Sequence, residues 1–306
     1  MLTYAVRRIL GAIPTILVII AIAFFMIRLA PGGPFAGDKP LPIEIKRNLE
    51  KAYHLDEPLY MQFGRYMGNV LQGDFGPSFK YKDYSVNDLI YQGFPYSLQL
   101  GLIAIAIASF FGILFGTIAA LKQNSPGDYG TMAIAMVGIT IPNFVVAPLL
   151  ILIFAVTWRV LPAGGIAGGW TSFILPIIAL SLPPTAYIAR LTRASMIEVL
   201  RSNFIRTARA KGLPERITIV RHTLKAGLLP VVSYLGPATA GIITGSVVIE
   251  QIFGIPGIGR YFVQASLNRD YTLVMGTVIF FAVLIILFNL MVDLLYGALD
   301  PRVRYD

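Results

Sequence analysis

Six long stretches of the chain contain no Asp, Glu, Lys or Arg, and polar segments separate them. The six charge-free stretches are Ile9–Ile27, Ser97–Leu121, Gly130–Trp158, Val160–Ala189, Ala226–Ile249 and Tyr271–Val292. A helix needs about 20 mostly apolar residues to cross the hydrocarbon core of a bilayer. Each stretch can therefore supply one crossing, although the fourth opens with glycines typical of a loop. The short alternating strands of a membrane β-barrel are absent, so the pattern predicts an all-α integral membrane protein with six transmembrane helices.

Composition supports a membrane protein, because 56% of the residues are hydrophobic and only 13% are charged, against about 25% charged in soluble domains.

The first 30 residues resemble a signal peptide in that Arg7 and Arg8 precede an apolar run. That run of 19 residues exceeds the usual signal-peptide core of about 7–15, and no small-x-small cleavage site precedes Pro31. We interpret residues 1–30 as a retained first transmembrane helix.

Positive charge is concentrated in one segment, residues 190–225, which holds nine Lys or Arg against two Glu, or +7 of the formal net charge of +9. Cytoplasmic loops of membrane proteins are enriched in Lys and Arg, so this segment is predicted to be a cytoplasmic loop. Counting crossings in both directions then places the N- and C-termini in the cytoplasm. The local excess also explains the pI near 9.7 without a nucleic-acid partner.

The predicted organisation has four parts. Residues 1–30 form the first helix, 31–96 a periplasmic insertion, 97–300 a five-helix core with the cytoplasmic loop 190–225, and 301–306 a cytoplasmic tail. The localisation that follows is multi-pass in a bacterial cytoplasmic (inner) membrane.

The insertion has the patterns of a small helical cap. Apolar spacing predicts a helix over Ile43–Leu55, Pro58 suits the first turn of a second helix, and the glycines of Gly73–Pro77 break it. Ser85 is a plausible N-cap for a short helix Val86–Tyr91. A lid that packs on the helix ends and a docking surface or gate both remain open.

Seven prolines fall within three consecutive predicted crossings: Pro142, Pro148, Pro176, Pro183, Pro184, Pro230 and Pro237. Proline kinks a helix by removing a backbone donor, and in lipid the freed groups need neighbouring helices or a water-filled cavity. The prolines favour a bundle around a pathway, although kinks that only improve packing are the alternative.

Charges at membrane depth are few. Arg28 ends the first crossing and Glu250 the fifth, both on the outer side, and we hypothesise that they lie close together at an outer mouth. The alternative is that each reaches headgroups or water. The chain has no Cys and only two distant His, His54 and His222, so no metal site, bound cofactor or catalytic residue is predicted.

The centre of the basic segment predicts a short helix. Asn203 can cap a helix that runs to Lys211, Gly212 suits the left-handed residue that ends it, and Pro214 can start the next helix. Phe204, Thr207, Ala208 and Lys211 are spaced to share one small-residue face, whereas Arg206 and Arg209 point elsewhere. A docking element for another protein and an ordinary connector both fit this pattern.

A resemblance favours docking. Thr207-Ala208-x-x-x-Gly212 resembles the coupling loop of importer-type ABC permeases, although Arg206 stands where that loop has Glu and Thr207 where it has Ala. Three further stretches resemble the oligopeptide and dipeptide branch of that family: Phe253–Gly259 with Asn268–Tyr271, Leu55–Leu59 with Gly73–Gly76, and Asp74–Leu89. The chain is thereby identified as a member of this branch, most like its oligopeptide permeases.

The resemblance implies a type I ABC importer permease fold and a non-catalytic subunit of a five-part importer. The partners would be a homologous C-type permease, two ABC ATPases that use ATP and Mg, and a periplasmic or lipid-anchored peptide-binding protein. The ATPase-coupling loop would be Phe204, Arg206, Thr207, Ala208, Arg209, Lys211, Gly212, Leu213 and Pro214. The sequence agrees with this division of labour, because it contains no Gly-Lys-Ser/Thr phosphate loop.

The function expected from these features is ATP-driven, binding-protein-dependent import of oligopeptides by alternating access. Dipeptide, murein-peptide and nickel permeases of the same family are alternatives within the resemblance. A gradient-driven secondary transporter is disfavoured by the scarcity of intramembrane charge. A membrane-embedded enzyme is disfavoured by the lack of paired acids or histidine clusters.

Overall fold

The computed structural model describes residues 2–30, 33–35 and 42–299. Fourteen α-helices lie in this part of the chain: α1 Leu2–Leu29, α2 Ile43–Ala52, α3 Leu59–Leu71, α4 Val86–Leu121, α5 Pro126–Thr140, α6 Asn143–Leu150, α7 Thr171–Leu200, α8 Asn203–Ala210, α9 Glu215–Ile217, α10 Leu224–Gly227, α11 Leu229–Gly245, α12 Val247–Phe253, α13 Ile258–Asn268 and α14 Tyr271–Leu299. Two π-helical segments, Ile151–Thr157 and Thr218–Thr223, continue α6 and join α9 to α10.

Six crossings are present when two bent helix pairs are each counted as one. Four helices are long and apolar enough to span a membrane alone, within α1, α4, α7 and α14. The third crossing breaks by 100° between α5 and α6, and the fifth breaks by 50° between the α9–α10 unit and α11. The prediction of six transmembrane helices is confirmed, with two of them broken.

The prolines have unequal effects on the helices. Pro142 caps α6 at the 100° break, because a residue before proline is driven from the helical region and Ile141 is extended at ψ 120°. Pro176, Pro183 and Pro184 all lie inside the unbroken helix α7. The predicted kink is therefore found at the α5–α6 break, whereas three prolines together do not interrupt α7.

The segment 190–225 is not a loop. Helix α7 runs on to Leu200, and α9, the following π-helix and α10 extend from Glu215 to Gly227. Outside helices, this segment contains only residues 201–202 and 211–214. The sequence is misleading in this segment because arginines on an extended helix end carry the same charge signal as arginines in a loop.

Helices α4 and α7 pack with their backbones in close contact. Gly112 and Gly116 of α4 sit directly on α7, and a Cβ at Gly116 would lie 2.5 Å from the carbonyl oxygen of Ala189 and 2.6 Å from the Thr192 Cβ. Small residues allow backbones in a membrane to approach closely, which gains dispersion contacts that lipid cannot supply. The two helices therefore form the centre of the fold.

Two helices lie in the described part of the insertion, as predicted, with α2 ending at Ala52 rather than Leu55 and α3 following Pro58. Ser85 does cap a helix, since its Oγ accepts from the Asp88 N–H in a capping box. The predicted short helix Val86–Tyr91 is nevertheless wrong, because α4 continues unbroken to Leu121. Val86, Leu89 and Ile90 pack in one buried cluster with α13 and α14, and Pro95 is accommodated within the helix.

Asp270 fastens the insertion to the last crossing. Its fully buried carboxylate accepts hydrogen bonds from Ser78 Oγ at 2.5 Å and from the backbone N–H groups of Phe79 at 3.2 Å and Lys80 at 3.3 Å. It also accepts from the Leu273 N–H at 3.2 Å, at the start of α14. One side chain thus joins the chain before α4 to the beginning of the sixth crossing.

Replacing Asp270 with Ala is expected to release residues 77–85 from the start of α14. A buried donor left without an acceptor costs about 1–3 kcal/mol. The buried Ser78 hydroxyl and the Phe79 N–H lose their acceptor, whereas the Lys80 N–H keeps Ser78 Oγ at 3.2 Å. Hydrogen exchange of peptides covering 74–85 should accelerate at least tenfold, whereas Asp270→Asn, which keeps one acceptor oxygen, should fall between Asp270→Ala and the wild type. Unchanged exchange in Asp270→Ala would show that the anchorage lies elsewhere.

Candidate functional site

Helix α8 is a short element between the fourth and fifth crossings. It ends in a Schellman motif, in which the Leu213 N–H donates to Ala208 O at 3.3 Å and the Gly212 N–H donates to Arg209 O at 2.9 Å. Gly212 has φ +74°, so the prediction of a left-handed glycine at this position is confirmed. Pro214 caps α9 directly afterwards.

The helix starts one residue earlier than the sequence suggests. Ser202 is the N-cap with φ −70° and ψ 153°, and Asn203 is already helical. The Ser202 hydroxyl donates to Val199 O at 2.6 Å and makes no cap bond to α8. Asn203 is a misleading candidate because either residue type can cap a helix, and the backbone turn at the end of α7 decides which one does.

The two faces of α8 are distinct. Ile205 and Ala208 are buried at 0% and 8% exposure, while Phe204 is 50% exposed and Thr207 and Lys211 are exposed. The expectation that Ala208 shares an open face with Phe204, Thr207 and Lys211 is therefore wrong. Ala208 faces the interior because it lies three residues after Ile205, on the stripe that anchors the helix.

The exposed side of α8 is cationic. The Arg209 guanidinium forms a bidentate pair with the Glu215 carboxylate at 2.6 and 3.1 Å, which links α8 to α9. Hydrogen bonding to this carboxylate raises the pKa of Arg209 above its usual value. The side chains of Arg206 and Lys211 are exposed and are free of hydrogen bonds and ion pairs within the described residues. They are left available for a partner.

A buried ion pair at the same end of the bundle is not foreseen by the sequence reasoning. Arg193 of α7 binds Asp128 of α5 through Nε at 2.7 Å and Nη2 at 2.6 Å. Asp128 is 1% exposed and also accepts from the Asn124 N–H at 2.9 Å. One sequence signal points to this region. Ser125 before Pro126 predicts the start of a helix, which places Asp128 in the first turn, next to the charge-free stretch Gly130–Trp158.

Arg28 and Glu250 do not form the hypothesised pair at an outer mouth. The Arg28 guanidinium donates to the Gln62 side chain and lies 5.0 Å from the Phe24 ring centroid. Gln62 in turn donates to Leu55 O and Glu57 O. Arg28 thus fixes α3 of the insertion against the end of α1.

Glu250 is fully buried rather than displayed at a mouth. Its carboxylate accepts from Ser97 Oγ at 2.7 Å, Ser246 Oγ at 2.5 Å and the Arg260 N–H at 3.2 Å. A Cβ at Gly257 would lie 2.3 Å from the Glu250 carboxyl carbon. The carboxylate therefore joins α4, α12 and the start of α13, and the sequence could not distinguish this internal role from a surface one.

Comparison with known proteins agrees with this architecture. The solved MetNI methionine ABC transporter, in an inward-facing conformation, superposes with a TM-score of 0.57 over 69% of this chain and 96% of that chain, at 16% identity. An amino acid ABC transporter structure superposes with a TM-score of 0.52 over 70% of this chain and 94% of that chain, at 18% identity. The fold is thus that of an ABC importer membrane subunit, as expected.

The sequence assigns the family. Residues 112–305 match the family described as binding-protein-dependent transport system inner membrane component, and residues 1–101 match the N-terminal family of the same systems. The chain belongs to this family of binding-protein-dependent transport permeases. It is 58% identical to the oligopeptide transport system permease protein OppB of Escherichia coli (strain K12), over 100% of both chains. It is 46% identical to the dipeptide transport system permease protein DppB of Bacillus subtilis (strain 168), over 99% of this chain and 98% of that one.

Proposed function

We propose that this chain is one of two membrane subunits of an ATP-driven importer that moves oligopeptides into the cytoplasm of a bacterium. Support for oligopeptides as substrate comes from relatives that match the chain over its full length at 58% and 53% identity and are oligopeptide transport permeases. The dipeptide permeases at lower identity make dipeptides the second candidate. A peptide-binding protein would deliver the substrate, and the lipid bilayer would surround the two permeases.

In this proposal the side of the membrane that bears α8 is the cytoplasmic side. The positive charge of α7–α10 favours that orientation, and the insertion with α2 and α3 then lies outside, where a binding protein can reach it. The proposed cytoplasmic tail, 301–306, lies outside the described residues. The N-terminus would be on the same side as α8, since four crossings separate the two.

The observation that carries the proposal is the construction of α8. Ile205 and Ala208 anchor the helix to the bundle, while Phe204, Arg206, Thr207 and Lys211 project from it. Aromatic residues and arginine are enriched in protein–protein interfaces, and Phe204 and Arg206 are both exposed on α8. We assign the ATPase contact to this surface, with Arg209, Gly212, Leu213 and Pro214 fixing its geometry.

Motion at α8 can reach the pathway through a continuous set of helices. The Arg209–Glu215 pair and the tight turn at Gly212 join α8 to α9, which continues through the π-helix and α10 to the break before α11. Closure of the ATPases on binding ATP with Mg would shift α8. The bend of 50° at that break supplies a place where the shift can change the angle of the fifth crossing.

Replacing Gly212 with Val is expected to uncouple ATP hydrolysis from uptake. A β-branched residue at φ +74° is strained by about 1–2 kcal/mol or more, so the turn should open and α8 should lose its fixed orientation. In proteoliposomes with all partners, oligopeptide uptake per ATP hydrolysed should fall at least tenfold. Gly212→Asn, which tolerates the left-handed conformation, should retain most of the coupling.

Gly169→Val is the matched control, because Gly169 also has positive φ, at +60°, with nothing within 4 Å of a Cβ, and lies in the loop before α7. Its strain is similar, but it is remote along the chain from the proposed ATPase contact. Equal coupling loss in both variants would refute the role of α8. Uptake that survives ATP depletion and follows an ion gradient would refute the ATP-driven importer itself.

A further inference from the structure

Helices α7 and α11 share an exposed surface that differs from the exposed surface of α1. Its residues, which we call the polar face, are Tyr187 and Arg190 on α7 and Ser233, Tyr234, Pro237 and Gly241 on α11. The Tyr187 and Tyr234 rings stack with centroids 4.6 Å apart and an interplanar angle of 19°. The Arg190 guanidinium lies 5.0 Å from the Tyr187 ring centroid.

The polar face is open. Tyr187 is 38% exposed, and Arg190, Ser233, Pro237 and Gly241 are exposed or half-buried. A Cβ built on Gly241 or on Gly245, one turn further along, would meet no atom within 4 Å. The polar face is therefore not covered by other described residues of this chain at these positions.

The exposed surface of α1 is built differently. Helix α1 presents Val6, Ile9, Leu10, Ile13, Leu17, Val18, Ile22 and Met26, all large apolar side chains. Such a surface is compatible with contact to lipid. The Arg190 guanidinium, the Tyr187 phenol and the exposed backbone at Gly241 are costly in contact with lipid, and such groups usually contact protein or water. The contrast disfavours contact of the polar face with acyl chains and fits a surface on a water-filled pathway.

The direction of Arg190 supports the same assignment. Arg190 lies 19 residues after Thr171, or about 28 Å along α7, which places it near the inner limit of a hydrocarbon layer of about 30 Å. Helical side chains tilt toward the N-terminus of their helix, so the guanidinium lies over Tyr187, one turn toward the membrane centre. It makes no hydrogen bond or ion pair within the described residues.

Resting on the proposed function, we infer that Arg190 and the stacked pair Tyr187–Tyr234 form a subsite for the C-terminal carboxylate of the transported peptide. A permease that accepts varied side chains can recognise only groups that all peptides share, which are the termini and the backbone amides. The free donors of Arg190 fit a carboxylate bidentately. The stacked rings of Tyr187 and Tyr234 beside it provide a flat surface that can contact peptide side chains of different shapes.

The test compares a peptide with a free C-terminal acid and the same peptide amidated, each at saturating concentration in proteoliposomes with the complete importer. The binding protein is identical in all reactions, so its preference cancels when the acid-to-amide uptake ratio of a variant is divided by that of the wild type. Arg190→Gln should lower this ratio about three- to fivefold, the size of an exposed ion pair, and Arg190→Lys should retain part of the preference.

Arg221→Gln is the matched control, since it removes one exposed positive charge from the π-helical segment beyond the polar face and should leave the ratio unchanged. Equal losses for both peptides in Arg190→Gln, or no loss for either, would overturn the subsite. An Arg190→Gln defect that appears only with anionic lipid would assign Arg190 to headgroups and would also overturn it. If the wild type moves no peptide with ATP, the proposed function is wrong. If the wild type is active but Arg190→Gln has the same acid-to-amide uptake ratio, only the proposed subsite is wrong.

Discussion

Replacing Arg193 with Met is expected to destabilise the protein by about 3 kcal/mol, because it leaves the Asp128 carboxylate buried without its counter-ion. Asp128 is 1% exposed, and both of its oxygens are bound by the Arg193 guanidinium at 2.6 and 2.7 Å. Thermal unfolding in detergent should show a markedly lower melting temperature. The loss should exceed that of Arg201→Met, which removes an exposed arginine that only donates to Gln123 at 3.2 Å.

The double variant Asp128→Leu with Arg193→Met tests whether the instability of Arg193→Met comes from loss of the ion pair or from the unpaired Asp128 carboxylate. Removal of both charges also removes the desolvation cost, so the double variant should be more stable than Arg193→Met alone. If the double variant is as unstable as the sum of the two single variants, the two residues act independently. An unpaired buried carboxylate would then not be the cause of the instability of Arg193→Met.

Gly116→Val is expected to separate α4 from α7, with a cost at the upper end of overpacking, about 3 kcal/mol or more. The added Cβ would lie 2.5 Å from the Ala189 carbonyl oxygen and 3.0 Å from the Arg193 backbone nitrogen, and neither atom can turn away. Gly130→Val provides the control, because it makes the same change inside α5 where nothing lies within 4 Å. The yield of monodisperse protein on size-exclusion chromatography should fall for Gly116→Val alone. Equal yields would show that α7 can shift to admit a larger residue.

Features that depend on neighbours in the chain are predictable from the sequence. Gly212 is predicted to end a helix in the left-handed conformation and has φ +74°, because glycine has no Cβ and adopts a positive φ without the steric cost that other residues meet. The six crossings follow from charge-free length alone. The start of the helix at Ser85 is also predicted correctly, whereas its end is not, since buried contacts with α13 and α14 carry the helix past Tyr91.

Features that depend on distant partners are not predictable. Arg193 counts among the charges of a predicted loop, yet its partner Asp128 lies 65 residues away. Arg28 and Glu250 both have the sequence context of polar ends of crossings, but one binds Gln62 of the insertion and the other is enclosed by Ser97 and Ser246. Ala208 is predicted on an open face because periodicity shows which residues share a side of a helix and not which side meets the bundle.

The attachment of α1 has a consequence for the order in which the protein is made. Phe24 and Ile20 of α1 are buried against Met275 and Ile279 of α14, and these partners are translated some 250 residues later. During synthesis the face of α1 that meets α14 must therefore be covered by lipid or by the insertion machinery, although α3 of the insertion, which also packs on Phe24, is made soon after α1. The charge-free stretch of α1 allows the helix to remain in lipid without α14. The contact between α1 and α14 can form only after the last crossing has been synthesised, so it belongs to a late stage of folding.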